Sequence, residues 1–307
     1  MVEELVSYLK NPHWGRQHRW RKAIWSTMAR VGLTGVHSLP VNRRWIDIHR
    51  RAMPFKDLDP AMAGFKLVQI SDLHYSPVVW KKYLLQFINW INELEPDVVV
   101  VTGDLITGGY RYADRVSGIL AHLKAPQGII CTFGNHDYSV YGKGLSAEGK
   151  RRADHLQRSL LSHGLIVLRN EVHYIKPAGA NTPLAIVGLD DEWSGHIDAD
   201  AAFAGVDPAL PAICLNHNPV NCNELMNHSW QWMLSGHTHG RQVATSALGK
   251  RLYPHKYRHF THGYYAVNGR HLYVNRGLSY GQRILDWCRP EVTVFKLERE
   301  SEGCPAA

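Results

Sequence analysis

The chain has 307 residues, of which 45% are hydrophobic and 20% charged, which is typical of a folded protein with a core large enough for a sizeable α/β domain. No apolar run reaches the roughly 18 residues that a membrane-spanning helix needs, and we expect no cleavable secretion signal, because the first residues lack an apolar signal core. The formal net charge is +8, and residues 11–51 carry all of this excess, with nine Lys or Arg and one acid.

The N-terminal arm, residues 1–60, is basic and interspersed with tryptophans. Its middle, about residues 16–31, is compatible with a helix that has an aromatic and a cationic side, and such a helix can lie on an anionic membrane surface. An arm that wraps the body, with buried tryptophans and solvated arginines, is equally compatible. Specific nucleic-acid binding is not expected, because no nucleic-acid motif accompanies the charge.

From Phe65 onward, short apolar runs alternate with segments of helical length. In chain order, strands are predicted at 65–70, 97–101, 128–133, 184–189, 212–215, 231–234, 271–277 and 291–297, and helices at 79–94, 111–123 and 148–163. Uniformly apolar strands that alternate with helices predict a sheet buried on both faces. Five scattered cysteines without a CxxC pair, two of them (Cys131 and Cys214) inside strands, predict reduced buried thiols and a cytoplasmic protein.

Five of the predicted strands are followed directly by carboxylate, amide or imidazole side chains. These are Asp72 and His74, then Asp104, then Asn135, His136 and Asp137, then His217, and finally His237 and His239. Ligands bind beyond the carboxyl ends of strands in open α/β sheets, so these side chains can converge on one crevice. Hard oxygen donors mixed with imidazole suit Mn, Fe, Zn or Mg. Any one of these residues alone would be an ordinary turn or surface residue, but five coincidences predict a metal site.

The motifs Asp72-x-His74, Gly103-Asp104, Gly134-Asn135-His136-Asp137, Asn216-His217 and Gly236-His237-Thr238-His239 resemble, in order, those of the calcineurin-like metallophosphoesterases. The resemblance covers residues 65 to about 297. It implies a four-layer α/β sandwich of two mixed β-sheets flanked by helices. The chain would then consist of the basic N-terminal arm, residues 1–60, and a catalytic domain, residues 61–307.

The resemblance also implies a role for each motif residue. The first metal ion would be bound by Asp72, His74 and His239, the second by Asn135, His217 and His237, and Asp104 would bridge the two. The implied proton donor or phosphate contact is His136, held by Asp137. Two divalent ions, Mn²⁺ as the first choice and Fe, Zn or Mg as alternatives, would activate water and neutralise phosphoryl oxygens. The implied activity is metal-dependent hydrolysis of a phosphoester or pyrophosphate bond.

Two further groups have two interpretations each. The stretch 253–265 is rich in Tyr, His and basic residues and could form a lip over the site, with Arg258 or Arg276 binding substrate phosphate, or it could cover the sheet edge. Asp190 and Asp191 could bring a carboxylate near the crevice, although a solvated turn or a helix cap is the simpler expectation.

Within the family, the motifs ISDLHYSP, NHNP, GHTHGRQ and LYVNRGLSYG resemble a bacterial membrane-associated branch that includes the chlamydial-type UDP-2,3-diacylglucosamine diphosphatases. This likeness implies a lipid-linked nucleotide sugar as the substrate, hydrolysed in lipid A synthesis. The protein would then be cytoplasmic and peripheral on the inner face of the membrane, which it would contact through the arm. The alternatives are a phosphodiesterase or phosphatase that acts on soluble nucleotides or other phosphorylated small molecules, and a non-catalytic scaffold.

Overall fold

The computed structural model describes residues 46–77, 79–140, 144, 146–241, 259–279 and 289–300. Residues 1–45, most of the N-terminal arm, lie outside this described part. None of the described helices combines the length and apolar character that a bilayer crossing requires.

The described chain contains twelve strands, which form two sheets of six. The strands are Asp47–Phe55 (β1), Lys66–Ile70 (β2), Val98–Thr102 (β3), Ile129–Thr132 (β4), Ile166–Val167 (β5), Glu171–Ile175 (β6), Leu184–Gly188 (β7), Ala212–Leu215 (β8), Trp232–Ser235 (β9), Gly263–Val267 (β10), Arg270–Val274 (β11) and Glu291–Arg299 (β12). The first sheet has the order β1-β12-β2-β3-β4-β5, and the second has the order β10-β11-β9-β8-β7-β6. Both are mixed, because β12 runs antiparallel to β2, and β6 and β10 run antiparallel to their neighbours.

The helices lie outside the two sheets. They are Lys81–Glu93 (α1), Tyr110–Leu120 (α2), Ala147–Ser162 (α3) and Ala199–Phe203 (α4), with 3-10 turns at Pro60–Met62, Pro219–Asn227 and His239–Arg241. Ser146 caps α3 by accepting the Gly149 N–H at 3.1 Å. Each of the three long helices buries one apolar face.

The run of valines in β3 is apolar throughout because both faces of this strand are buried. Val99 and Val101 pack in the core between the first sheet and helices α1–α3, whereas Val98 and Val100 pack in the core between the two sheets. A third core, which includes Cys214 and Trp230, covers the outer face of the second sheet. The layers are therefore helix, sheet, sheet and helix, which confirms the four-layer sandwich of two mixed sheets.

Strand β1 was not predicted. It pairs in parallel with β12 over its whole length and forms an edge of the first sheet. Arg50 and Arg51 in its middle are exposed, which suits an edge strand. Residues 47–55, which the sequence analysis included in the N-terminal arm, thus belong to the sheet of the body.

Candidate metal centre

The side chains that the sequence analysis singled out after five strands meet at one end of the sandwich. Strands β2, β3 and β4 of the first sheet end next to Asp72, Asp104 and Asn135, respectively. Strands β8 and β9 of the second sheet end before His217 and His237. The carboxyl ends of the parallel strands of both sheets thus supply the site, so it lies across the seam between them.

The first group of donor atoms comprises Asp72, His74, Asp104 and His239, each offering one atom within 4.8 Å of the others. His74 Nε2 lies 3.0 Å from His239 Nε2 and 3.5 Å from Asp104 Oδ2. His239 Nε2 lies 3.3 Å from Asp72 Oδ1. Asp72 and Asp104 are buried, so the group is largely removed from water.

The second group comprises Asp104, His217 and His237. His217 Nε2 lies 3.2 Å from Asp104 Oδ2, and the amide oxygen of Asn135 lies 3.0 Å from His237 Nδ1. His217 Nδ1 lies 2.7 Å from the carbonyl oxygen of Thr102. A carbonyl can only accept, so Nδ1 carries a proton, and Nε2 is the nitrogen that would bind a metal ion after losing its own proton. Asp104 is shared between the two groups, as a bridging carboxylate would be.

The backbone at the site adopts conformations that are uncommon for residues with side chains. Of the nine described non-glycine residues with positive φ, five belong to the two groups of candidate ligands, namely Asp72, His74, Asp104, His237 and His239. Such backbone strain concentrates at functional sites. Two neighbouring positions accept only glycine, because a Cβ at Gly103 would meet the His217 ring and one at Gly134 would meet both that ring and the Asp104 carboxylate.

The electrostatics of the cluster favour positive charge beside Asp104. Burial alone would raise the pKa of Asp104, but the imidazoles of His217 and His136 outweigh it and hold this pKa well below its usual range. Burial opposes a charge on His217, yet the Asp104 carboxylate outweighs burial and raises the pKa of His217 to about 10. Burial lowers the pKa of His74 well below its ordinary value, which keeps that ring neutral.

These residues fit a pair of divalent cations. Asp72 Oδ1 is buried and accepts no hydrogen bond from the residues that the structure describes, although a histidine nitrogen lies 3.3 Å away. Lone pairs that face one another at such distances repel, and a cation between them would turn repulsion into attraction. Carboxylate oxygen, amide oxygen and imidazole nitrogen are also suitable ligands for Mn, Fe, Zn or Mg.

His136 and Asp137 lie at the rim of this centre. The His136 backbone N–H donates to Asp104 Oδ1 at 2.9 Å, and its half-buried ring lies edge-on to that of His74 with 4.6 Å between centroids. Both oxygens of Asp137 accept backbone N–H groups, from Gly134 at 2.9 Å and Ile106 at 3.1 Å. Within the described part, no hydrogen bond joins Asp137 to the His136 ring. Asp137 therefore holds the loop that carries His136.

Two residues around the centre were missed by the sequence analysis. Gln69 Nε2 donates to the Ser235 carbonyl at 2.9 Å and to Thr102 Oγ1 at 3.0 Å, which links the two sheets directly beneath the site. A lone amide in the apolar run FKLVQI was the signal that could have revealed it. Trp193 lies edge-on to His237, with 4.7 Å between ring centroids, and no pattern in the sequence pointed to it.

The comparisons with known proteins agree with this geometry. The family profile described as calcineurin-like phosphoesterase matches residues 65–241, which is more than half of the chain and includes every residue of both donor groups. The chain belongs to the calcineurin-like phosphoesterases. It is a metal-dependent hydrolase with a candidate dimetal site.

Three curated relatives span most of this phosphoesterase. The uncharacterized metallophosphoesterase YkuE of Bacillus subtilis is 34% identical over 76% of this chain and 79% of its own. Phosphodiesterase YaeI of Escherichia coli is 31% identical over 82% and 88%. UDP-2,3-diacylglucosamine pyrophosphatase LpxG of Chlamydia trachomatis is 29% identical over 76% and 83%. The predicted family and its chlamydial likeness are therefore confirmed.

A buried network ties the phosphoesterase loop after β4 to the end of β7 in the other sheet. The Tyr138 hydroxyl donates to the Asp190 carboxylate at 2.7 Å and accepts from Arg169 Nη2 at 2.6 Å, while Arg169 Nε donates to Asp190 at 2.9 Å. Asp191, also buried, accepts the Ser194 N–H at 2.6 Å. The expectation of a solvated turn at Asp190 and Asp191 is wrong, because both acids are buried and hydrogen-bonded.

Replacement of Tyr138 by phenylalanine tests this network. We expect Tyr138→Phe to lower the free energy of unfolding by about 1 to 3 kcal/mol, because the buried Asp190 carboxylate and the half-buried Arg169 guanidinium lose their shared hydroxyl. Urea unfolding measures the difference. The control is Tyr174→Phe, which removes a hydrogen bond from an exposed tyrosine to the Gly205 carbonyl and should cost less. Equal losses in the two variants would contradict a special role for the network.

Of the two arginines predicted to bind substrate phosphate, the structure describes one, Arg276. Arg276 is buried, and its guanidinium donates to Glu291 at 2.6 Å and to Asp47 at 2.9 Å. It thereby connects the start of β1 to the start of β12, and a phosphate would have to compete with two carboxylates. Arg258 lies outside the described residues. Phosphate binding by either arginine stays a prediction.

Proposed function

We propose that this phosphoesterase hydrolyses the pyrophosphate bond of a lipid-linked nucleotide sugar of the UDP-2,3-diacylglucosamine type, releasing UMP and an acylated sugar phosphate. The observation that carries the reaction class is the sharing of Asp104 between two groups of metal-ligand atoms. The substrate class is supported by the 29% identity to a protein named UDP-2,3-diacylglucosamine pyrophosphatase, over 83% of that protein's length.

The proposed mechanism assigns one task to each part of the site. Asp72, His74 and His239 would hold one divalent cation, and Asn135, His217 and His237 the other, with Asp104 between them. When bound, the two cations, which we propose to be Mn²⁺, supply water activation and neutralisation of phosphoryl charge.

His136 lies beside the shared carboxylate, where a proton donor would be needed. Its backbone N–H donates to Asp104 Oδ1 at 2.9 Å, and the residue as a whole is partly exposed. A protonated His136 would donate to the oxygen that leaves the phosphorus, or stabilise the charge that develops there. Asp137 would keep the loop in place through its two backbone hydrogen bonds.

A second candidate is a phosphodiesterase that acts on soluble nucleotides. The observation in its favour is the 31% identity to a protein named phosphodiesterase over 88% of that protein's length. A scaffold function has no comparable support, because each ligand position of both donor groups holds a residue able to bind a metal. A purified scaffold would also contain little metal.

A hydrolysis panel with manganese separates the two enzymatic candidates. We expect kcat/KM for a UDP-diacylglucosamine substrate in mixed micelles to exceed that for cyclic nucleotides and aryl phosphates. Preference for the soluble esters would contradict the lipid substrate and leave the reaction class intact.

The same panel tests the proposed location, cytoplasmic and peripheral on the inner face of the membrane through the N-terminal arm. A truncation should remove residues 1–45 only, because β1 begins at Asp47 and belongs to the sheet. We expect this variant to lose turnover of the lipid substrate in vesicles and to keep turnover of a soluble ester. Equal loss on both substrates would contradict a docking role for the arm.

A further inference from the structure

A cleft of about 420 Å³ opens between the start of α1 and the middle of α2, outside the metal centre. It is lined by Tyr75, Lys81, Asp114, Arg115 and Gly118. Tyr75 follows the metal-site residue His74 directly in the chain, and its backbone N–H donates to the Leu105 carbonyl at 3.0 Å. The cleft therefore adjoins the loops of the metal centre, but none of the candidate metal ligands lines it.

Three hydrogen-bond donors of this cleft have no protein acceptor within the described part of the chain. Tyr75 is 6% exposed and lines the open cleft, and its hydroxyl makes no hydrogen bond to a described residue. Lys81 and Arg115 are exposed and form no ion pair with a described residue, whereas the acid of the cleft, Asp114, lies 3.1 Å from His155 Nε2. The three donors, with a net excess of one positive charge, suit an anion with several oxygens.

The rim of the cleft is aromatic and basic. Trp80, immediately before Lys81, is 57% exposed, the most exposed of the large hydrophobic residues that the structure describes. Lys82 and Arg111 beside the cleft are exposed and have no ion-pair partner among the described residues. Exposed tryptophan next to cations is the combination found at the headgroup level of a membrane surface.

We propose that this cleft binds the phosphate group of an anionic membrane lipid, with Trp80 lying at headgroup level. The phosphate oxygens would accept from the Tyr75 hydroxyl, the Lys81 ammonium and the Arg115 guanidinium. The body of the enzyme would then have a membrane contact of its own, in addition to the one proposed for the arm. This docking site does not depend on which substrate is hydrolysed.

Vesicle co-sedimentation of the full chain tests the proposal, with phosphatidylcholine vesicles compared with vesicles that also contain phosphatidylglycerol. The test variant is the double substitution Lys81→Glu and Arg115→Glu. The matched control is Lys124→Glu with Lys176→Glu, two exposed lysines outside the cleft. A third variant, Tyr75→Phe, removes the hydroxyl and changes no charge. The arm is present in every variant, so its contribution is constant.

We expect the cleft double variant to lower the partition coefficient on anionic vesicles by at least about tenfold, since each cation at the surface contributes substantially to binding. The control double variant should lower it much less, and Tyr75→Phe should lower it severalfold. Hydrolysis of a soluble aryl phosphate by the cleft double variant should be unchanged, which shows that it is folded and separates this proposal from the proposed reaction.

Two results would overturn the proposal. Equal losses in the cleft and control double variants, with Tyr75→Phe unchanged, would mean that binding reflects diffuse charge alone. Binding of soluble glycerol phosphate that depends on Lys81 and Arg115, combined with vesicle partitioning that does not, would make the cleft a site for soluble anions.

Discussion

Replacement of Asp104 by asparagine is expected to reduce metal-dependent hydrolysis at least about a thousandfold, because a bound ion contributes several kcal/mol to catalysis and each ~1.4 kcal/mol is a tenfold change in rate. A neutral amide bridges poorly between two cations. The fold should survive, since asparagine can still accept the His136 N–H that Asp104 Oδ1 accepts at 2.9 Å.

The measurements for Asp104→Asn are hydrolysis of an aryl phosphodiester with manganese and the metal content of the purified protein. The control is Asp97→Asn, at the opposite end of the same strand, where the carboxylate accepts the Lys66 N–H at 2.7 Å far from any ligand. We expect the control to keep its activity and its metal. Normal turnover by Asp104→Asn would rule out the bridging role.

Replacement of Gly236 by alanine should damage the centre without touching a ligand. A Cβ at this position would meet the Ser71 hydroxyl and Asp72 Oδ2, which also accepts the His237 N–H at 3.0 Å. Displacement of Asp72 should weaken metal binding by about 10- to 100-fold, the range seen when groups that orient ligands are changed. Overpacking should also lower the free energy of unfolding by about 1 to 3 kcal/mol.

Calorimetric titration with manganese and urea unfolding measure the two effects of Gly236→Ala. The matched variant is Gly205→Ala, at an exposed glycine where a Cβ would meet nothing within 4 Å. That variant should bind manganese like the parent chain. If both alanine variants bind manganese normally, the tight packing around Asp72 has no role in metal binding.

The strands that could be predicted from the sequence are those buried on both faces. In β3 every residue is buried, so an uninterrupted apolar run in the sequence indicates the strand. Strand β1, with exposed arginines, becomes a strand only because it pairs with β12, more than 200 residues away. The residue pattern within 47–55 cannot indicate a pairing partner so far along the chain. The pattern also indicated one buried sheet, and only the family resemblance implied two.

The convergence of the candidate metal ligands could be predicted, because each follows an apolar run and the parallel strands of both sheets end on the same side. The supporting contacts could not. Tyr138, Arg169 and Asp190 come from three separate loops, and their mutual hydrogen bonds arise only once the two sheets pack. The expectation for Asp190 failed for the same reason, because the half-buried arginine that pairs with it lies 21 residues away.

The most direct test of the dinuclear centre is an anomalous difference map from crystals of the full chain grown with manganese. Two peaks per chain are expected, one beside Asp72, His74 and His239 and one beside Asn135, His217 and His237, with Asp104 in contact with both. A single peak, or peaks away from Asp104, would contradict the assignment.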